Sequence, residues 1–282
     1  MYKKEFEILL NKMLNKELER LRKIFRPYKR TPFLHNKVII KCVKYESRTT
    51  LGDYKNTRVG EKMKFNHIIG VADSLRGLYE EYTHYGLKKE FNKIVRDTID
   101  HELIHAFTYE EFEMWEDIKN SHFDYSPIFL SLLYWCGGES GHKYTEEFLK
   151  TELWHKVSKC KTYNKVALVL TRYYAEINRV ISKYNEDNPD KNIYRIDFGN
   201  KPGTDKMASV KSKIVVYSNK GLKIKNKEFM ALNIGFLIKP SSLFDVINKN
   251  FNNDKDAVCY KEVAIYKTKG GHQKDIIIRG NY

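Results

Sequence analysis

Hydrophobic positions recur at helical spacing near the start of the chain. Apolar residues return every three or four positions from about residue 4 to residue 26, and Pro27 predicts the end of this helix. The outer face of the helix ends in a basic cluster. This cluster either binds the phosphates of a polyanion or is a solvent-exposed face without a ligand. This cluster contains Arg20, Arg22, Lys23, Arg26, Lys29 and Arg30.

A change of pattern after this helix predicts a small sheet. Residues 37–45 are rich in β-branched side chains and partly alternate, which favours a first strand. The turn Arg48-Thr-Thr-Leu-Gly52 leads into a second strand, and residues 61–69 are expected to form a third. Residues 77–86 contain two glycines and are expected to form a loop. Helical spacing then predicts a long helix from about residue 87 to residue 112.

The long helix carries the motif His101-Glu102-Leu-Ile-His105. Residues four apart share one face of a helix, so the two imidazoles converge on one point and form half of a tetrahedral zinc site. Glu102 lies close enough to remove a proton from water at such a metal. The apolar flanks indicate that the motif is buried, where a metal-free His-Glu-His cluster would be costly. The alternative is a helix with two solvated histidines.

A catalytic zinc site needs a third protein ligand. His122 is the favoured candidate, because its loop opens a helix that is expected to pack beside the motif helix. Tyr125, His142 and an acidic patch at residues 110–117 are alternatives. The favoured interpretation of that patch is a solvent-exposed helix end without a functional role.

The second half of the chain divides into helices and then strands. Ser126 as N-cap and Pro127 in the first turn predict a helix that ends at Gly137 and Gly138. Residues 141–184 are expected to be helical in two pieces. A polar stretch at residues 185–191 predicts a boundary between domains 1–185 and 186–282. The second of these has a basic, β-rich pattern interrupted by a short helix at residues 241–250.

Composition narrows the classes of protein further. The 282 residues are 41% hydrophobic, which suffices for a packed core. The net charge of +15 favours an acidic partner, with nucleic acid before a membrane surface. The cysteines form no CxxC pair, which excludes a cysteine zinc ribbon and indicates reduced thiols; they are Cys42, Cys136, Cys160 and Cys259. No secretory signal or membrane-length apolar run is present, so a cytoplasmic location is expected.

The order of these features resembles the SprT-like zinc metalloprotease family, which includes Spartan-related proteins. The resemblance covers about residues 1–140 and rests on the Arg-Thr-Thr-Leu-Gly turn, the sequence HELIHAF and a helix start of the form Pro-x-Phe. It implies a zincin-like α+β domain. It also implies that His101 and His105 bind Zn²⁺ and that Glu102 is the catalytic base.

This chain departs from the family pattern at two places. The family has His-Gly-x-x-Phe at the start of the helix that follows the motif. In register with Phe129, this chain has Tyr125-Ser126 there, and His122 lies three residues earlier. In addition, many relatives carry a cysteine zinc ribbon, whereas this chain continues into its basic β-rich region.

These observations predict a zinc-dependent endopeptidase that acts on proteins, with DNA-associated proteins as one substrate class. Tyr125 is a candidate donor to the developing oxyanion. The main alternative is a catalytically degenerate SprT-like scaffold that binds nucleic acid or has a structural role. A zinc hydrolase acting on a non-peptide bond ranks last.

Overall fold

The computed structural model describes residues 2–26, 31–60, 64–115, 121–124, 126–140 and 144–187, together with five strands beyond them. These described residues contain both helices and sheets, as the α+β prediction requires. The chain divides into two compact units. The first comprises Met1–Asp117, Ser131–His142 and Cys160–Lys165, and the second comprises Ile118–Leu130, Lys143–Lys159 and Val166–Tyr282.

Helix α1 spans Lys3–Phe25, close to its predicted limits. The backbone N–H of Tyr2 donates to the Glu5 carboxylate at 2.9 Å, which ties down the first turn. One face of the helix is buried at the predicted spacing. Its buried apolar residues are Phe6, Leu10, Leu14, Leu21 and Phe25.

Three strands form the sheet of the first unit: β1, Lys37–Val43; β2, Gly52–Arg58; and β3, Phe65–Ala72. Their order is β1-β3-β2, with β1 parallel and β2 antiparallel to β3. The central strand β3 is buried at most of its positions, whereas β2 is an edge strand of this sheet. β2 contacts the helix Lys88–Thr108, which is described below.

Helix α2 spans Asp73–His84, so the prediction of a loop at residues 77–86 is wrong for most of that segment. The rings of Tyr79 and Tyr82 pack against Phe91, with centroids 5.2 and 6.2 Å apart. These tertiary contacts offset the cost of about 1 kcal/mol that a glycine such as Gly77 carries inside a helix. Gly86, with φ of +72°, forms the turn that ends the helix.

Helix α3 spans Lys88–Thr108 and carries the HExxH motif. It continues as a π-helical segment, Tyr109–Trp115, where the sequence predicted a plain α-helix to residue 112. Such wide turns are rare and often lie next to functional sites.

Helix α4 spans Pro127–Trp135 and has the predicted ends. Ser126 Oγ accepts a hydrogen bond from the N–H of Ile128 at 3.2 Å, and Gly137 adopts a φ of +84° after the last turn. Three further helices follow where two were predicted: α5, Tyr144–Leu149; α6, Glu152–Val157; and α7, Tyr163–Asp187. The extra break arises because Thr151 caps a new helix by accepting from the N–H of Trp154.

Five antiparallel strands agree with the predicted β-rich region: β4, Ile193–Phe198; β5, Ile214–Ser218; β6, Glu228–Asn233; β7, Val258–Lys267; and β8, Gln273–Arg279. They pair in chain order. The helix predicted at residues 241–250 lies outside the described residues, and the domain boundary at residue 185 stays a prediction. Among the described residues, no helix combines the length and apolar character needed to cross a membrane.

Candidate metal site

The two histidines of the HExxH motif lie together on α3. The ring centroids of His101 and His105 are 4.8 Å apart, and each ring offers a nitrogen within 4.8 Å of the other's. His105 and Glu102 are buried, with 7% and 6% of their surface exposed, while His101 is half-buried. Two convergent imidazoles beside a buried carboxylate are a donor set that fits Zn²⁺.

Glu102 lies against the start of the edge strand β2. A Cβ placed on Gly52 would lie only 2.9 Å from Glu102 Oε1 and 2.7 Å from Thr98 Cγ2. A side chain at position 52 fits only if α3 or the carboxylate of Glu102 moves. This contact gives a physical reason for the glycine in the Arg-Thr-Thr-Leu-Gly turn: its bare backbone lets the motif glutamate pack directly on the sheet.

Tyr54, two residues along β2, contacts the second histidine of the motif. Its ring stacks on His105 with centroids 6.3 Å apart and an angle of 15° between the planes. Its hydroxyl lies 3.0 Å from Nδ1 of His67 on β3. Residues two apart on a strand point to the same side, so one edge strand supplies both Gly52 and Tyr54 to the motif.

His67 links this tyrosine to a second buried carboxylate. Its Nε2 lies 3.0 Å from Glu110 Oε2, and both side chains are fully buried. Glu110 also accepts from the N–H of His35 at 2.6 Å and from the backbone and side-chain nitrogens of Asn36 at 3.1 and 3.0 Å. Burial alone would raise the pKa of Glu110, but these hydrogen bonds outweigh it and lower the pKa to about 2. The ionised carboxylate thus fastens the π-helical segment to β3 and to the chain before β1.

Glu110 and Glu111 do not complete the metal site. They form a separate cluster of ligand-type side chains with His35. Within it, the Glu110 oxygens are occupied by hydrogen bonds, and Glu111 forms an ion pair with Arg26. The interpretation of residues 110–117 as a solvated helix end is therefore wrong at Glu110, which is buried because it has a full set of donors. Residues 116 and 117 lie outside the described residues.

A third buried carboxylate, Asp100, joins the motif to α1. Arg20 Nη2 donates to Asp100 Oδ2 at 2.5 Å, and Arg20 Nε donates to Glu17 Oε2 at 2.5 Å. Burial raises the pKa of Asp100 to about 7; Arg20 opposes this rise and the neighbouring Glu17 adds to it. The side of α3 beside His101 is thus fixed by a charge cluster on α1.

The predicted third ligand, His122, is half-buried and its ring stacks on Phe123, with centroids 4.6 Å apart. It belongs to the second unit, whereas His101 and His105 belong to the first. Tyr125 and His142, the alternatives, lie outside the described residues. The identity of the third ligand therefore stays a prediction.

Three residues around the motif were given no role from the sequence: Gly52 as a packing site, Tyr54 and His67. Glu110 was singled out only as part of the acidic patch at residues 110–117. The sequence predicted Gly52 as a turn residue before the second strand, whereas the structure places both Gly52 and Tyr54 in β2, on the same side of it. His67 and Glu110 are 43 residues apart, and nothing in the local sequence pairs them.

We compared the chain with protein-family models, with curated proteins and with solved structures. None of them matches. Membership of the SprT-like family therefore stays a prediction that rests on the HExxH helix and its surroundings.

Proposed function

We propose that this chain is a zinc-dependent endopeptidase with a zincin-like, SprT-related catalytic domain. The observation that supports this most strongly is the pair His101 and His105, whose ring nitrogens approach within 4.8 Å on a buried stretch of helix that also holds Glu102. An ordinary surface helix would expose these three ionisable side chains to water. Here Glu102 and His105 are buried and His101 is half-buried, and a divalent metal suits such a set of donors.

The donor set determines which ion is favoured. Imidazole nitrogens suit Zn²⁺, and two of them four residues apart on one helix leave room for a third protein ligand and for a reactant. Bound there, Zn²⁺ would supply Lewis-acid chemistry that activates water near neutral pH and polarises a peptide carbonyl.

Glu102 is the general base in this proposal. Its carboxylate accepts a proton from the attacking water and then delivers that proton to the leaving amine. The contact with Gly52 restrains the carboxylate from one side, and Thr98 packs against the same point one turn earlier on α3. A base held in place in this way loses little freedom when substrate binds.

We propose that the third ligand comes from residues 121–124, which offer His122 and Asp124. Histidine and carboxylate are both third ligands of catalytic zinc sites. The zinc contents of His122→Ala and Asp124→Ala separate the two, because only the variant that lacks a ligand loses the metal. If both variants keep zinc, the ligand lies elsewhere, with Tyr125 and His142 the next candidates.

The enzymatic role is tested by Glu102→Gln, which keeps the shape of the side chain but removes the base. We expect the variant to bind as much zinc as the wild type while its hydrolysis of a protein substrate falls by about 100-fold or more. Equal proteolysis by both proteins, with zinc retained, would contradict the mechanism. Because of the +15 charge, proteins bound to nucleic acid belong among the substrates tried.

A catalytically inactive scaffold is the second candidate, and one observation favours it. Tyr125-Ser126 occupies the position where the resembled family has His-Gly, so the site could lack its third ligand. Purified chain that contains no zinc, and that gains no protease activity when zinc is added, would support the scaffold over the enzyme.

A further inference from the structure

A basic groove lies on the first unit between α1, α2 and the N-terminal half of α3. It encloses about 500 Å³, with Leu9 and Met13 among its lining residues. Glu17 is the only acidic residue in the described lining. The basic lining residues are Lys12, Lys16, Lys88, Lys89, Lys93 and Arg96.

The groove differs from the basic cluster that the sequence indicated at the end of α1. There, Arg20 is held by Glu17 and Asp100, Arg22 donates to Glu19 at 2.8 and 2.9 Å, and Arg26 pairs with Glu111. Carboxylates within the fold therefore neutralise the described arginines of that cluster. Lys29 and Arg30 lie outside the described residues.

In the groove, by contrast, the basic side chains outnumber the carboxylates that pair with them among the described residues. Glu17 is already bound to Arg20, and a single carboxylate, Asp97, serves both Lys93 and Arg96 at 2.7 and 3.1 Å. Lys88 lies over the ring of Tyr79, 5.9 Å from its centroid. The remaining three lysines have no salt bridge to any carboxylate among the described residues; they are Lys12, Lys16 and Lys89.

The cations form two rows rather than one cluster. Lys12 and Lys16 are one turn apart on α1, and Lys89, Lys93 and Arg96 follow each other at helical spacing on α3. Four residues of helix rise about 6 Å, so each row presents charges in succession along the groove. Rows of this kind fit an extended polyanion better than a single small anion.

We propose that this groove binds the sugar–phosphate backbone of a nucleic acid strand. Lysines recognise phosphates as point charges without reading sequence, so binding would be non-specific and would weaken steeply with salt. The proposal does not depend on zinc or on proteolysis. On α3, Arg96 precedes His101 by five residues, a rise of about 7.5 Å along the helix axis.

The test is fluorescence anisotropy with a labelled 20-nucleotide single strand and the same sequence as duplex, at two salt concentrations. The groove variant carries Lys12→Glu, Lys16→Glu and Lys89→Glu. The control carries the same charge change at exposed lysines outside the groove: Lys37→Glu, Lys41→Glu and Lys150→Glu.

We expect the groove variant to bind at least about 10-fold more weakly than the control and to show a shallower dependence of affinity on salt. Equal affinities for the two variants would overturn the proposal. Polyglutamate that displaces the strand at the same charge concentration would also overturn it, because the groove would then be a general anion surface.

A second measurement uses the wild-type chain and so does not depend on how the variants fold. Acetylation of surface lysines, read by mass spectrometry, should slow at Lys12, Lys16 and Lys89 when the strand is present and stay unchanged at Lys37 and Lys41. Protection of Lys37 and Lys41 alone would place the strand elsewhere. Zinc content should be the same in all these proteins, so failure of this proposal is distinguishable from failure of the metal site.

Discussion

The two halves of α3 differ in how they carry ionisable residues. In the first half these residues are exposed to solvent, and in the second half most of them are buried. In the half before Asp97, only Phe91 and Val95 are buried, and the lysines and Arg96 extend into water at the groove. In the half from Asp97 to Thr108, every residue except Asp97 and His101 is buried. Charged side chains in the first half are hydrated by solvent and therefore need no partner in the protein. In the second half, each buried ionisable group must have a partner, and the partners identify its role.

Those partners differ from one carboxylate to the next. Asp100 pairs with Arg20, and Glu110, just beyond the helix, is saturated with hydrogen-bond donors. Both therefore hold elements of the fold together. Glu102 packs on the bare backbone of Gly52 and belongs to the same helical turn as the two imidazoles of the motif. Asp100 in the buried half and Glu110 just after it thus stabilise the fold, and Glu102 is the carboxylate that we propose as the catalytic base.

Removing the charge of Glu110 should have the largest effect on stability. In Glu110→Gln, an amide NH₂ would face the N–H donors of His35 and Asn36, and the negative charge beside His67 would be lost. A shift of the Glu110 pKa from 4.5 to about 2 corresponds to about 3 kcal/mol. We expect chemical denaturation at pH 7 to show a loss of that order.

The pH dependence sharpens this prediction. Because the folded-state pKa lies below 4.5, the charge stabilises the wild type above that pH, and its contribution is lost as the pH falls towards 2. The difference between Glu110→Gln and wild type should therefore be constant above about pH 5 and shrink below it. A difference that does not change with pH would mean that packing, not charge, is responsible.

Gly52→Ala should damage the site and leave most of the fold intact. The new Cβ would collide with Glu102 Oε1, and displacing a catalytic group by about 1 Å can lower turnover about 100-fold. The measurement is the rate of proteolysis together with zinc content, which should not change.

Gly77→Ala is the matched control, because a Cβ at Gly77 meets no atom within 4 Å. Since Gly77 lies inside α2, this change should leave turnover unaltered and stabilise the fold by about 0.5–1 kcal/mol. Similar activity in both variants would contradict the role given to the contact between Gly52 and Glu102.

Smaller effects are expected at Tyr54, where ring and hydroxyl can be separated. Tyr54→Phe keeps the stacking on His105 and removes the bond to His67, so it should cost about 1 kcal/mol of stability with little change in zinc affinity. Tyr54→Ala removes both and should weaken zinc binding about 10-fold in a chelator competition. Equal zinc affinities in the two variants would show that the ring does not orient His105.

The sequence predicted those parts of the fold that depend on local signals. The spacing in α1, the Ser126 cap and the Gly137 end of α4 are encoded within a few residues, and the structure agrees with them. The HExxH pair is likewise local, since four residues on a helix determine that its two rings meet.

Predictions failed where distant contacts decide the outcome. Residues 77–84 form a helix despite Gly77, because Tyr79 and Tyr82 find Phe91 across the packing interface. The end of α1 was open to a phosphate-binding interpretation, but its carboxylate partners Asp100 and Glu111 lie some 80 residues away along the chain. No pattern within one segment could have indicated those ion pairs.

The central claim is that the buried half of α3 holds a zinc ion, and elemental analysis of purified chain tests it most directly. We expect about one zinc per chain in the wild type and in His84→Ala, which removes an exposed histidine on α2, and almost none in His105→Ala. Thermal unfolding of His105→Ala would show whether it still folds. A wild type without zinc, or a folded His105→Ala that keeps its zinc, would contradict the claim.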